Sequence, residues 1–112
     1  MLGLARNAIA KKVINATAAG TTTITSSSVR MNDAEVCTFY LLLGTLTSTT
    51  VPTVKVQQSS DDGSADDFTD LTGSLQTLTD ADGTKIVIVE VVRPTKEYVR
   101  ISVGRAPANA VL

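Results

Sequence analysis

The sequence predicts an all-β protein, an antiparallel β-sandwich or jelly roll of about six to eight short strands with an N-terminal arm. Short runs rich in β-branched and aromatic residues recur along the chain, separated by turns that contain Asp, Gly or Pro. No ten-residue stretch has the periodicity of an amphipathic helix. Among the 112 residues there are 17 Thr and 9 Ser, and Thr is β-branched and suits strands.

The N-terminal segment, residues 1–19, differs in composition from the rest of the chain. Alanine dominates it, and Leu2, Ile9 and Val13 are spread along it, so a short helix, an extended arm or a first edge strand all fit. A helix this short is marginal in water and needs a neighbouring surface to hold it. We therefore predict an arm over residues 1–19 and a β-sandwich domain over residues 20–112.

The first strands of the domain are predicted in three runs. Thr21–Ser28 is rich in hydroxyl and β-branched residues, and Glu35–Leu43 is the most apolar segment of the chain. Val51–Gln58 alternates, with Val54 and Val56 on one face of the strand and polar side chains on the other. These patterns favour a half-exposed strand, a strongly apolar strand and a strand with one apolar and one polar face, in that order.

After a turn at Ser59–Gly63, the chain is expected to return to the core through Phe68 and Leu71. Ser74–Thr79 is a weak strand. Lys85–Val92 is so uniformly apolar that we expect burial on both of its faces, apart from Glu90.

The last predicted strand, Tyr98–Val103, alternates clearly. Its inward-facing residues are Val99, Ile101 and Val103. Arg100 lies on its polar face, where it could pair with Glu90 or Glu97.

The composition argues against catalysis. Histidine is absent, which removes the commonest general base and metal ligand, and the single cysteine, Cys37, can form neither an intrachain disulfide nor a zinc site without histidine. A hydrolase with two carboxylates is the remaining enzyme option, but the aspartates lie in turns of a small domain, where a deep cleft is hard to build. We predict no enzyme activity, no cofactor and no metal.

Charge is unevenly placed, although the net charge is only −1. Seven aspartates lie from Asp61 to Asp82 without a base among them. Asp61–Gly63 and Asp80–Gly83 could offer oxygen atoms to calcium, but neither fits the twelve-residue helix-loop-helix spacing, and turn formation is the favoured role. The chain has no basic stripe with interleaved aromatics, no apolar run as long as a membrane span and no signal peptide, so neither nucleic acid nor membrane is predicted as a partner.

A family resemblance rests on four segments in order: Val54–Gly63, Phe68–Gly73, Arg93–Arg100 and Arg105–Val111. Over about residues 20–112, this order resembles small virion structural proteins of tailed bacteriophages, of the head decoration or cement type. The resemblance implies a β-sandwich that binds the assembled shell of the major capsid protein and self-associates on the virion lattice. It also implies synthesis in the host bacterial cytoplasm and a final location on the capsid surface.

Two alternative functions stay open. One is another virion role, as a head–tail connector or a tail component. The other is a surface- or carbohydrate-binding module, because the same strand pattern is similar to discoidin-like jelly rolls. Fold similarity alone does not fix function.

The candidate partner-binding residues lie at the two ends of the chain. Apolar and basic side chains of the arm would lie on a neighbouring subunit or on an acidic shell surface, and the apolar C-terminal tail would supply a second contact. The predicted residues are Leu2, Leu4, Arg6, Ile9, Lys11, Lys12, Val111 and Leu112.

Overall fold

The computed structural model describes residues 11–15, 20, 22–31, 35–46, 52–79 and 83–105. Within these ranges the chain is all-β and antiparallel, as predicted, and contains no helix. The strands are β1 (Ile24–Thr25), β2 (Val29–Arg30), β3 (Val36–Leu42), β4 (Thr53–Ser59), β5 (Thr69–Asp70), β6 (Gln76–Thr77), β7 (Ile86–Val92) and β8 (Tyr98–Gly104). No described segment forms a helix of the length and apolarity that a bilayer crossing requires.

The larger sheet is built on β4 and β8, which pair antiparallel along their full length from Thr53↔Gly104 to Ser59↔Tyr98. β1 and β2 pair one after the other with the far side of β8, and β5 and β6 do the same with β4. The sheet is therefore four strands wide, and each of its edges consists of two-residue strands.

The second sheet is a two-stranded ribbon of β3 and β7, called the ribbon below. Its seven residue pairs run from Val36↔Val92 to Leu42↔Ile86. Each of its strands is seven residues long, so its edges are much longer than the strands at the edges of the larger sheet.

The core lies between the larger sheet and one face of the ribbon. Inward side chains of β4 and β8 are almost fully buried, and they meet inward side chains of the ribbon. The buried residues of these four strands are Val54, Val56, Val99, Ile101, Val103, Phe39, Leu41, Val89 and Val91. Burying one aliphatic side chain of this size contributes roughly 1.5–3 kcal/mol. The inward positions predicted for β4 and β8 are confirmed, whereas Ser102, predicted on the polar face of β8, is buried as well.

The prediction that Lys85–Val92 is buried on both faces is wrong. Val89 and Val91 turn inward, whereas Ile86, Ile88 and Val92 are more than half exposed. The physical reason is the layer count, because the larger sheet covers one face of the ribbon and no described element covers the other.

Part of the predicted arm packs against the body of the protein. Val13 and Ile14 are half-buried against the core, and the Val13 carbonyl accepts a hydrogen bond of 2.9 Å from the Ser27 amide. Residues 1–10 and 16–19 lie outside the described residues.

A buried arginine joins the two ends of the described sandwich. The register Ile24↔Val103 places Thr22 beside Arg105, whose side chain donates to the Thr22 carbonyl at 2.7 Å and to its hydroxyl at 3.0 Å. A Cβ on Gly20 would lie 3.0 Å from the same guanidinium group, so this approach favours glycine.

The turn after β4 is organised around Ser59, which is fully buried. Its hydroxyl accepts the amide of Gly63 at 2.8 Å and donates to the carbonyl of Asp66 at 2.6 Å. Asp62 and Gly63 both have a positive φ, a conformation that suits glycine and that aspartate tolerates better than most residues. The turn predicted at Ser59–Gly63 is confirmed.

Two aspartates fix the rest of this loop. The Asp61 carboxylate accepts amides from Ala65 and Asp66, at 2.8 and 3.0 Å, and these hydrogen bonds lower the pKa of Asp61. The Asp66 carboxylate accepts from the Lys96 ammonium group at 2.8 Å and from the Ser60 amide at 2.9 Å. Lys96, followed by Ser60, lowers the pKa of Asp66 from 3.8 to about 2.

We expect Asp66 to contribute a measurable part of the acid sensitivity of the fold. Because its pKa is lower in the folded state, its ionised form stabilises the protein above about pH 4, and this stabilisation is lost as the pH falls towards about 2. Asp66→Asn should therefore be less stable than the parent at pH 6, and the difference should shrink between about pH 4 and pH 2. Urea unfolding at a series of pH values measures it.

Asp67→Asn provides the control, because Asp67 is exposed and makes no hydrogen bond or ion pair with any other described residue. It makes the same chemical change at an exposed carboxylate that has no such partner, so its effect is subtracted from that of Asp66→Asn at each pH. If the remaining effect of Asp66→Asn does not shrink as the pH falls, the assigned role is contradicted.

Candidate partner-binding face

The outer face of the larger sheet is covered by a polar network. The guanidinium carbon of Arg100 lies 4.1 Å from the centroid of the Phe68 ring, on which the group stacks. Arg100 Nε also donates to Gln57 Oε1 at 2.9 Å. Asp70 accepts from Gln57 and Lys55 at 3.0 and 2.9 Å. The polar groups of this face therefore bond largely to one another.

Two predictions about this face are corrected. Arg100 bonds to Gln57 instead of Glu90 or Glu97, since its register places it opposite Gln57, and Glu97 pairs with Arg30 at 2.8 Å. Phe68 does not join the core, because it lies under Arg100 on the outer side of the sheet. Leu71 does pack against the core, as predicted.

The outer face of the ribbon is apolar and exposed, in contrast to the outer face of the larger sheet. It consists of four cross-strand pairs, three of them between large apolar side chains: Val36↔Val92, Thr38↔Glu90, Tyr40↔Ile88 and Leu42↔Ile86. The six large apolar residues are between 47% and 63% exposed. We call these eight residues the ribbon face.

The ribbon face lies at the upper end of the apolar patches that monomeric proteins expose. Six side chains of this size, each about half exposed, present on the order of 600 Å² of apolar surface, which matches the largest patch of a typical monomer. Within the described ranges, only one other large apolar residue, Leu75, is comparably exposed. A contiguous patch of this size often has a function, such as binding a protein, a ligand or a membrane.

The backbone geometry of the ribbon follows from hydrogen bonds at its two ends. The Arg93 amide donates to the Glu35 carbonyl at 2.7 Å, and the Leu43 amide donates to the Lys85 carbonyl at 2.9 Å. In an antiparallel pair, hydrogen-bonded and non-hydrogen-bonded positions alternate, so the odd-numbered residues bond across the ribbon. The even-numbered residues, which form the ribbon face, direct their amides and carbonyls to its two outer edges.

The ribbon face contains one carboxylate, Glu90, opposite the half-buried Thr38. Chemically, the face can bury aliphatic and aromatic surface and accept one cation or hydrogen-bond donor. A partner that covered it without such a group would leave Glu90 buried and unpaired, at a considerable cost.

The described side chains considered above for catalysis or metal binding have contacts within the fold. Cys37 points inward, opposite Val91, and burial raises the pKa of its thiol, so it is mostly protonated. Across the described ranges, no three side chains of cysteine, aspartate or glutamate converge on one point. Asp61 accepts hydrogen bonds within its own loop, and Asp66 Oδ2 accepts from Ser60 and from Lys96.

The structure describes only two of the predicted partner-binding residues. Lys11 and Lys12 are both exposed, directly before the segment that packs beside Ser27. The other predicted residues lie outside the described residues: Leu2, Leu4, Arg6, Ile9, Val111 and Leu112.

Sequence reasoning missed the ribbon face, although one signal for it was present. Ile86, Ile88 and Val92 are an even number of residues from Glu90, so all four lie on the same face of the strand. A carboxylate is almost never fully buried unless it is paired, so this face of the strand was marked as the exposed one. Because the other residues on this face are apolar, the run was predicted to be buried on both faces.

Comparisons of the chain with protein-family models, with curated proteins and with solved structures find no match.

The orientation of the ribbon can be tested by making the same substitution, valine to threonine, at each of two adjacent positions. Val91 is 4% exposed and Val92 is 58% exposed. Val91→Thr should lower the free energy of unfolding by about 1–3 kcal/mol, because it buries a hydroxyl group. Val92→Thr should change it by no more than about 0.5 kcal/mol. Urea unfolding measures both, and equal losses would mean that the ribbon is not oriented as described.

Proposed function

We propose that this protein is a bacteriophage virion structural protein, a capsid decoration or cement protein that binds the assembled shell of the major capsid protein through the ribbon face. The observation that carries the proposal is the exposed apolar surface of the ribbon. The order of motifs that resembles decoration proteins supplies the identity of the partner.

Three properties of the ribbon face support a protein surface as its occupant. Its area approaches the roughly 800 Å² per partner that a stable protein–protein interface buries. It lies on a hydrogen-bonded ribbon packed against the core, so little ordering is required on binding. It carries a single charge, Glu90, for which an arginine or lysine of the shell is the complementary group.

The proposed mechanism is mechanical. A rigid sandwich that spans two or more shell subunits resists their separation when the shell is under internal pressure. The affinity of each copy can be modest, because many copies on one symmetric lattice act together. Residues of the arm, among them Leu2, Leu4 and Arg6, would extend the contact to a neighbouring subunit.

We expect Ile86→Asp to weaken shell binding at least tenfold, because it places a second carboxylate in the apolar contact. Leu75→Asp is the matched control, since Leu75 is equally exposed, at 61%, but lies outside the ribbon face. It should bind within about twofold of the parent. The measurement is co-sedimentation with empty shells assembled from the major capsid protein of the same phage.

Full occupancy of the shell by Ile86→Asp would contradict the proposal, as would the absence of binding by the parent protein. A glycan array tests the carbohydrate-binding alternative, which strong binding of one sugar by the isolated monomer would favour. Binding to tail or connector subunits, without binding to shells, would favour the other virion role.

Deleting residues 1–10 tests the arm as a second contact. The truncation stops before Val13 and Ile14, which pack against the core, so we expect the thermal unfolding midpoint to change little. Shell affinity should fall, because the deletion removes Leu2, Leu4, Arg6 and Ile9. Unchanged affinity in the same co-sedimentation assay would show that residues 1–10 make no contact with the shell.

A further inference from the structure

The edges of the two sheets differ in length and in protection. The larger sheet ends in the two-residue strands β1, β2, β5 and β6, and short edges are one way in which proteins avoid unwanted pairing. The ribbon has a seven-residue strand on each side. Among the described strands, none pairs with the outer edge of β3 or of β7.

The edge of β3 is the less protected of the two. The sequence of β3, Val36–Leu42, contains no charged residue, no proline and no glycine. β7 carries Glu90 in its second half, on the side chain row that also faces outward. Charged residues on an edge strand oppose pairing with another chain, so β3 is the edge that is ready to accept a strand.

We propose that β3 pairs antiparallel with β3 of a second copy of this chain, which joins the two ribbons into one four-stranded sheet. The amides and carbonyls of the even-numbered residues, from Val36 to Leu42, already point to this edge. A two-fold axis that passes between the two Phe39 residues places each of these amides and carbonyls opposite a hydrogen-bonding partner on the second copy. Val36 then lies opposite Leu42 of the second copy, and Thr38 lies opposite its Tyr40.

A second copy fits this edge because β3 is complementary to itself in that register. Each facing pair on the outer side is apolar or joins a hydroxyl group to an aromatic ring, and such pairs stabilise a sheet. No like charges meet. Pairing of β7 with itself, centred in the same way, would instead bring two Glu90 carboxylates close together near the axis.

Edge pairing leaves the ribbon face open. The two ribbon faces become parts of one sheet surface of on the order of 1,200 Å², a size found in stable interfaces. The dimer does not depend on the shell, so it can be tested in solution without any capsid protein, and its failure would leave the proposed function intact.

The first test compares proline on the two edges. Thr38→Pro removes an amide that points to the open edge of β3 and leaves the odd-numbered hydrogen bonds between β3 and β7 in place. Glu90→Pro does the same on the edge of β7, directly across the ribbon. In sedimentation velocity up to about 1 mM, the parent and Glu90→Pro should dimerise, and Thr38→Pro should remain monomeric.

A parent protein that stays monomeric over this range would overturn the proposal. The same holds if Thr38→Pro dimerises like the parent, or if Glu90→Pro is the variant that does not. A dimer that survives Thr38→Pro but is lost in Ile88→Asp would assign self-association to the ribbon face instead.

The second test needs no substitution, so it stands even if a proline variant fails to fold. In a monomer, the odd-numbered amides of β3 exchange slowly and the even-numbered ones exchange fast. On dimerisation, the amides of Thr38, Tyr40 and Leu42 should become at least tenfold slower, whereas those of Ile88 and Glu90 should not change. Fast exchange at all three β3 positions in a dimeric sample would rule out edge pairing. Residue-resolved hydrogen exchange by NMR measures this.

Discussion

The structure depends on the pairing of β4 with β8. These strands run side by side for seven residues and supply the side chains that are most completely buried, Val54, Val56, Val99 and Val103 among them. This close approach requires glycine at position 104, because a Cβ there would lie 2.7 Å from the Thr53 hydroxyl oxygen. The short edge strands and the ribbon all attach to this pair, so its loss would remove the surface on which every other strand packs.

The mismatch in width between the two sheets produces the candidate site. The larger sheet is four strands wide, whereas the ribbon is two strands wide. On the outer face of the larger sheet, Lys55 forms an ion pair with Asp70 and Arg100 stacks on Phe68. A ribbon that covers a core with one apolar face needs no apolar residue on its other face for stability. The exposed Tyr40, Leu42 and Ile88 are the observation on which the proposed contact with a partner rests.

Much of the fold could be predicted from the sequence, because local pattern determines it. The alternation of apolar and polar residues in β4 and β8 predicted which residues face the core, and the Asp-Gly pair predicted the turn at Ser59–Gly63. The ribbon could not be predicted in the same way, because a run such as Ile86–Val92 does not reveal how many layers cover it; that number is a property of the whole fold. The predicted contact residues at the chain ends rested on composition and on resemblance, and only Lys11 and Lys12 among them fall within the described residues.

The buried Arg105 has a consequence for how the two ends of the sandwich are held together. By bonding to Thr22, it brings the start and the end of the sandwich within the span of one side chain. Gly20 lies against the same guanidinium group, so Gly20 and Arg105 share one corner of the body. A change at Arg105 would therefore affect the first and the last described residues of the sandwich at once.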